Sequence, residues 1–317
     1  DLGRPDRFWQ LIPGIGEFNF PHSMLSWDIV VLNGYLALNV YICGYLLYCR
    51  YRNRKPSKWF YIPFVFIAIG WAISIHTVTA FLYVGLGGRH FWNSAIVGPR
   101  FLASAFTAGP ALIILALQVI RKVTKYRITD KALLTLRSIV QVSMLINVFL
   151  LLNEVFKEFY SKSKNTSSAT YLFFGLDGHH ALVPWIWTAV AFNLIAMFIL
   201  ILPASRSLKW LDLACVLAIV GIWIEKGMGL VVPGFIPTPL GEIVEYSPSL
   251  NETLICLGIW AFGFLAYTVF LRMSIPILQG KLSKATENVP LHDLMLLQEP
   301  EAAGHEAVEP AVPELGV

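Results

Sequence analysis

Seven long apolar stretches are the feature that most restricts what this chain can fold into. A helix needs about 20 predominantly apolar residues to cross the hydrocarbon core of a bilayer. Stretches of that length lie at 28–49, 60–85, 96–120, 133–159, 181–203, 210–232 and 250–276. Charged residues make up only 14% of the 317 residues, against about 25% in soluble domains. The sequence therefore predicts an all-α polytopic membrane bundle with seven spans.

Three parts are expected along the chain. Residues 1–27, rich in Pro, Gly and aromatic side chains, are expected to lie at the outer membrane interface, and 28–280 to form the transmembrane bundle. From Ala285 onward there are seven acidic residues and no Lys or Arg, which is typical of disorder. We therefore expect 281–317 to be a disordered acidic tail. The start at Asp1 without a Met indicates an N-terminally truncated sequence.

Basic residues collect in alternate connections between the predicted spans, and this pattern predicts the orientation of the chain in the membrane. They lie in 50–59 and 121–131, with five each, at Arg206 and Lys209, and at Lys281 and Lys284. The 230–249 connection has no Lys or Arg. Because positive loops stay in the cytoplasm, residues 1–27 are predicted outside and the C-terminus inside.

Polar and ionisable side chains within these stretches mark a candidate functional site. An ionisable group in lipid is costly unless it is paired or hydrated, so it usually has a function. Those in the outer half of a span, at its outer edge or near the midplane are Asp28, Asn33, His76, Thr79, Tyr83, Arg100, Asn147, Asn153, Glu154, Glu225 and Lys226. The inner half holds chiefly Gln118, Arg137, Gln141 and Asp212. We expect the outer set to surround a polar chamber that opens outward.

Depth and helical geometry refine this expectation and leave structural alternatives open. His76 lies about 14 Å below the outer end of its span at the helical rise. Glu225 and Lys226 are adjacent and point about 100° apart, so each is expected to pair across helices. Arg100 also fits a snorkelling residue, and Asp28 fits a first-turn acid that the helix dipole stabilises. Glu154, close to Lys157 and Glu158, also fits a solvated interfacial charge.

Several chemistries have no pattern in the sequence. A b-type haem commonly needs two axial His ligands, and His76 is the only histidine deep in a predicted span. The four cysteines show no CxxC or Cys/His spacing. Phosphate-loop, nucleophile-elbow and triad patterns are absent as well. We therefore expect no haem or metal in this chain, and no nucleic-acid partner.

Four runs resemble the NrfD-like family, the membrane subunits of polysulfide reductase and related electron-transfer complexes. They are DLGRPDRFW at 1–9, WDIVVLNGYLALN at 27–39, the run from WAISIHTVTAFLY through FTAGPALI at 71–113, and WIEKGMGLVVPGFIPTPLGE at 223–242. The resemblance covers almost all of 1–280. It is greatest to members that link the quinone pool to sulfite reduction in sulfur-metabolising prokaryotes. It implies about ten spans in the full-length protein, so three would be missing here.

The resemblance also implies a set of partners and, together with the polar residues of the spans, a quinone site. It implies binding of menaquinone or ubiquinone in a prokaryotic inner membrane, without haem. Electrons would be exchanged with an extracytoplasmic, ferredoxin-like iron–sulfur subunit, beside other membrane and cytochrome subunits. The quinone-site candidates are His76, Tyr83, Arg100, Glu225 and Lys226, with Asp28, Asn33 and Glu154 as a second tier. His76 lies in the SIHTVTAFLY run, and Glu242 and Glu245 are the expected docking residues.

Other functions remain open at this stage. An ion or proton translocator also carries buried charges, with Arg137, Gln141, Asn147 and Asp212 as an inner relay. Gly109 and Pro110 would break the third span in such a protein. A purely structural anchor would leave the quinone reaction to a partner, and His76 would then be dispensable. A b-haem protein is a further alternative, and its bound haem would be visible in an absorbance spectrum.

Overall fold

A computed structural model describes residues 5–12, 14–124, 126–160, 166–238 and 240–283. The predicted acidic tail lies almost entirely outside these residues. The helices are α1 Met24–Tyr51, α2 Lys58–Val84, α3 Val97–Val123, α4 Asp130–Tyr160, α5 Thr166–Phe173, α6 Val183–Ile201, α7 Leu208–Lys226 and α8 Leu250–Leu278. A 3-10 helix, Pro5–Leu11, precedes α1.

Seven of these helices are long and apolar enough to cross a membrane. This confirms the predicted fold class, and each predicted span boundary is within four residues of a helix boundary. The sixth span, Leu208–Phe235, is not a single regular helix. It continues from α7 through a π-helical turn, Gly227–Val231, and a 3-10 turn, Pro233–Phe235. The short helix α5 lies in a connection that the sequence predicted only as a loop.

The bundle has two ends of different character. The basic end carries the α1–α2, α3–α4 and α6–α7 connections, where the Lys and Arg residues collect. The loop end carries residues 5–23, the α2–α3 connection, α5 and the segment 227–249. At the loop end, α8 begins with a capping box in which the Glu252 carboxylate accepts from the Ser249 backbone N–H at 2.7 Å. Such a cap satisfies N–H groups that the first helical turn leaves without partners.

Helices α3, α4, α6 and α7 form the centre of the fold. One apolar cluster near the basic end is built from all four helices and includes Ile114, Met144, Leu200 and Leu211. A second cluster, towards the loop end, includes Trp92 and Tyr171. Helices α1 and α2 pack as a pair beside α3, and α8 contacts α1 at the periphery. Of the described residues of α8, none is buried.

A close contact between Gly34 and Trp71 fixes α1 against α2. The Trp71 indole N–H donates to the Val31 carbonyl oxygen at 2.8 Å. A Cβ atom on Gly34 would lie 2.6 Å from the Trp71 ring. We expect Gly34→Leu to lower the free energy of unfolding by about 1–3 kcal/mol through overpacking, measured by denaturant titration in detergent. Gly44→Leu is the control, because a Cβ there meets no atom within 4 Å; equal losses for both variants would contradict the prediction.

Candidate functional site

Four charged side chains from three helices meet inside the bundle. Arg100 of α3 contacts both Glu154 of α4 and Glu225 of α7. Its Nη2 lies 2.7 Å from Glu225 Oε1, and Lys226 Nζ lies 3.0 Å from the same oxygen. Two cations thus face two carboxylates. We call these four residues the ion-pair cluster.

Two buried amides complete the cluster. The Asn193 side-chain amide donates to Glu225 Oε2 at 2.7 Å, and the Asn147 amide donates to it at 3.3 Å. Glu225 is 1% exposed and Arg100 2%. A buried charge is tolerated when it is paired and hydrogen-bonded. The amides from α4 and α6 therefore hold the Glu225 carboxylate in place while Arg100 and Lys226 neutralise the carboxylates.

One sequence expectation about the cluster was wrong. Lys226 was expected to pair across helices, but its ammonium bonds Glu225, its neighbour in the chain. A lysine stem is long enough to fold back, and regular α-helical geometry ends at Lys226, where the π-helical turn begins. Glu225 does pair across helices, as expected, through Arg100.

The cavity beside the cluster is small. It has a volume of about 20 Å³ and is lined by Arg100, Glu154, Glu158 and Glu225, among others. Such a space holds about one water molecule. Two carboxylate oxygens, Glu154 Oε1 and Glu158 Oε2, are buried without a hydrogen-bond partner among the described residues, and such oxygens are well suited to a bridging water. The cluster therefore is a closed polar core and not a chamber of ligand size.

A second polar group follows one side of α2. His76, Thr79 and Tyr83 are spaced so that they share a helix face, and Thr79 Oγ1 lies 3.4 Å from Asp28 Oδ1 of α1. Neither the His76 imidazole nor the Tyr83 hydroxyl has a hydrogen-bond partner in the described part of the chain, and both residues are only partly buried. At membrane depth such groups need a partner. His76 and Tyr83 therefore offer two open hydrogen-bonding positions.

Aromatic rings connect the two polar groups. The Tyr83 ring lies 5.1 Å from the Trp92 ring and 5.9 Å from the Phe101 ring, between centroids. Lys226 Nζ lies 5.7 Å from the Phe101 ring centroid, within the range of a cation–π contact. Phe101 thus contacts both Tyr83 and Lys226 of the ion-pair cluster. Of the four cluster side chains, Lys226 is the most exposed, at 16%.

The remaining predicted residues lie apart from these groups. Asn33 is exposed, and its amide donates to the Ile29 carbonyl of its own helix at 2.8 Å. Arg137 Nε donates to Ser205 Oγ at 2.7 Å, and Asp212 accepts from Gln118. In the described residues no hydrogen bond connects Arg137, Gln141, Asn147 and Asp212, the predicted inner relay. That relay stays a prediction.

The two predicted docking residues, Glu242 and Glu245, differ in the contacts that their carboxylates make. The Glu245 carboxylate accepts from the Tyr171 hydroxyl and the Ala181 backbone N–H, each at 3.1 Å, and lies 3.4 Å from His179 Nδ1. The Ala181 N–H, followed by His179 and Tyr171, lowers the pKa of Glu245. Burial and Glu245 raise the pKa of Tyr171 to about 12. Both residues are exposed. Glu245 nevertheless attaches its segment to the start of the α6 region, whereas the Glu242 carboxylate makes no hydrogen bond or ion pair with the residues that the structure describes.

This attachment predicts a pH dependence. Since its pKa is lowered on folding, Glu245 contributes stability that is complete above its ordinary pKa of about 4.3. That contribution is lost as pH falls through the lower folded value. We expect amide hydrogen exchange of 231–249, corrected for intrinsic rates, to accelerate between pH 5 and pH 3. Glu245→Gln should exchange faster at pH 7 and lose the acid step; an unchanged step would contradict the assignment, and Glu242→Gln is the control.

A metal site needs several ligating side chains close together. Among residues 5–283 that the structure describes, no group of three or more His, Cys, Asp or Glu side chains is placed to hold a metal ion.

Two residues of the polar core, Asn193 and the buried Glu158, were not predicted from the sequence. Glu158 lies four residues after Glu154, a spacing that puts both on one face of α4. Asn193, a single amide within a strongly apolar span, is a comparable signal. Both signals were therefore present in the sequence, although neither indicates which residues the side chains contact.

Seven apolar helices around a buried ion-pair cluster define a polytopic membrane protein with a charged interior. The family model described as polysulphide reductase, NrfD, matches residues 1–236. The chain therefore belongs to the NrfD family, which confirms the resemblance seen in the sequence.

Two similar proteins come from archaea. The chain is 23% identical over 290 residues to the Hdr-like menaquinol oxidoreductase integral membrane subunit of Archaeoglobus fulgidus, covering 86% of this chain and 69% of that protein. It is 25% identical over 259 residues to a putative dimethyl sulfoxide reductase membrane subunit of Halobacterium salinarum. That match covers 74% of this chain and 56% of the relative. The chain thus spans between about half and two thirds of these relatives.

Proposed function

We propose that this chain is the quinone-interacting membrane subunit of an electron-transfer complex. The observation that carries the proposal is the pair of open hydrogen-bonding groups, His76 and Tyr83, on one face of α2. Tyr83 contacts Phe101, whose ring also contacts Lys226. The names of the relatives, a menaquinol oxidoreductase subunit and a putative reductase membrane subunit, support the same function. Family membership supports it as well.

The geometry suits a quinone ring on the α2 side of the bundle. His76 and Tyr83 are two helical turns apart, about 10.5 Å along α2. A quinone has carbonyl oxygens at opposite edges of its ring, and each would accept a hydrogen bond from one of these side chains. Phe101, which is only partly buried, supplies an aromatic face next to Tyr83, and the buried Trp92 ring supports Tyr83 from inside the protein. The isoprenoid tail would remain in lipid, because His76 and Tyr83 are only partly buried by the neighbouring helices.

The ion-pair cluster has a different part in this proposal. Ligand pockets usually measure about 300–1,000 Å³, and the cavity at Arg100 and Glu154 measures about 20 Å³. We therefore propose that the ring binds beside those residues and not among them. Quinone reduction takes up two protons with its two electrons, so a proton donor near the ring is needed. Lys226 is our candidate donor, because its ammonium lies on the Phe101 ring that also contacts Tyr83. Glu225 holds this ammonium at 3.0 Å.

The wider context is proposed from the family resemblance. The quinone would be menaquinone or ubiquinone, and the complex would belong to the inner membrane of a sulfur-metabolising prokaryote. The basic end would face the cytoplasm, according to its charges. The loop end would then dock an extracytoplasmic iron–sulfur subunit, with Glu242 as the acid whose carboxylate is not already bound by a described residue. Other membrane and cytochrome subunits would complete the complex.

Quinone binding by the isolated chain tests the proposal. Purified protein would be titrated with 2-heptyl-4-hydroxyquinoline N-oxide, a fluorescent quinol analogue, in detergent. We expect saturable quenching of the analogue with one site per chain, reversed by excess menaquinone. Absence of saturable binding to correctly folded protein would contradict the proposal and favour a structural anchor.

A further inference from the structure

An apolar groove separates α8 from α3. It consists of two adjoining cavities of about 650 and 640 Å³. Both are lined by Leu112 and Ala116 of α3 and by Phe264 and Tyr267 of α8, so they form one continuous groove. The groove is open along its side. At the basic end, Arg50 Nη2 donates to the Leu278 carbonyl at 3.1 Å and ties α8 to α1.

The polar groups of the groove lie mainly towards one end. The cavity nearer the basic end reaches Thr124 at the end of α3 and Arg272 of α8, and its other lining is largely apolar. Arg272 is exposed and makes no ion pair or hydrogen bond with the residues that the structure describes. Along α8 this cavity runs from Phe264 to Pro276, about 18 Å at the helical rise. That length is close to one leaflet of a hydrocarbon core about 30 Å thick.

We propose that the groove binds one anionic phospholipid, with its phosphate on Arg272 and an acyl chain between α3 and α8. Such a lipid matches the groove in charge, at Arg272, and in the length of its acyl chain. A guanidinium recognises phosphate oxygens through paired hydrogen bonds, and basic side chains near a membrane surface attract anionic lipid. An apolar partner helix would leave Arg272 without a counter-charge. An anionic lipid would pair its phosphate with Arg272 and fill the apolar part of the groove with its acyl chain.

Glycines on α8 provide a matched test of the acyl-chain path. Gly263 lines the groove, about 14 Å from Arg272 along the helix, whereas Gly258 does not line it. A Cβ at either position meets no atom within 4 Å, so both tolerate a larger side chain. Gly263→Phe fills the groove and Gly258→Phe does not. Arg206, exposed at the same end of the bundle, is the charge control for Arg272.

The measurement is native mass spectrometry of the purified full chain with phosphatidylglycerol or phosphatidylcholine added. We expect one phosphatidylglycerol per chain, retained at least fivefold more than phosphatidylcholine. Arg272→Gln should abolish this preference, and Gly263→Phe should remove most of the bound lipid. Arg206→Gln and Gly258→Phe should bind as the wild type does.

Three outcomes would count against the proposal. Equal retention of both lipids, without saturation at one per chain, would show only non-specific lipid around the bundle. A groove occupied by a second copy of the chain, seen as a dimer that Gly263→Phe dissociates, would make it a protein interface. Circular dichroism of each variant establishes that the fold is intact. Loss of lipid in a folded Gly258→Phe variant would count against the assigned path of the acyl chain, because Gly258 does not line the groove.

Discussion

Replacing Arg100 with Gln is expected to lower the free energy of unfolding by about 3–5 kcal/mol, because it breaks a buried charge pair. Among the described side chains of α3, only Arg100 forms ion pairs with both Glu154 and Glu225. Its loss leaves the Glu154 carboxylate, already short of one hydrogen bond, without a cation. The loss is measured by SDS titration of purified protein in mixed micelles, followed by circular dichroism.

An exposed ion pair in the same chain is the control. Arg121 Nη1 lies 2.5 Å from Asp130 Oδ1, and both side chains are solvent-accessible. Arg121→Gln should therefore cost no more than about 1 kcal/mol. The double variant Arg100→Gln with Glu154→Gln restores the charge balance, so we expect it to recover part of the loss. An Arg100→Gln variant as stable as Arg121→Gln would show that the cluster does not hold α3, α4 and α7 together.

Replacing His76 with Ala is expected to reduce quinone-linked turnover of the assembled complex by a factor of at least about 10², the usual contribution of a positioned acid–base or hydrogen-bonding group. The stability of the chain should change little, because His76 makes no hydrogen bond with the described residues. Turnover is measured with a water-soluble quinone substrate, and the amount of assembled complex by gel filtration.

His90 supplies the histidine control for this experiment. It is exposed in the α2–α3 connection at the loop end, so His90→Ala should leave turnover within about twofold of wild type, as expected for a surface change. His76→Gln keeps a hydrogen-bonding side chain and should lose less activity than His76→Ala. Wild-type turnover in the His76→Ala complex would contradict the proposed role of His76 and would be the result expected for a structural anchor.

Span positions were predictable because they depend on local hydropathy and length alone. The prediction that 210–232 is one span was right in extent, but the π-helical turn after Lys226 was not foreseen. Gly227 and Gly229 loosen this segment, yet the choice between an α-helical and a π-helical turn depends on packing around it. Trp92 takes part in that packing, since its indole N–H donates to the Leu230 carbonyl at 2.7 Å.

Which side of each helix points into the bundle was much harder to predict. Most spans are apolar on all sides, so little in their own pattern tells which polar residue faces inward. Asn33 and Asn193 look alike in sequence, but Asn33 is exposed and Asn193 is buried against Glu225. The difference arises from the central position of α6 and the peripheral position of α1. Only the packing of the whole bundle decides it.

Photoaffinity labelling tests the central claim most directly. The assembled complex would be irradiated with an azido-quinone, and the labelled residues would be identified by peptide mass spectrometry. The proposed function predicts label on α2 between His76 and Tyr83 and on Phe101 of α3, suppressed by excess menaquinone. Competable label confined to residues outside this region, such as the groove at Leu112 and Phe264, would contradict it.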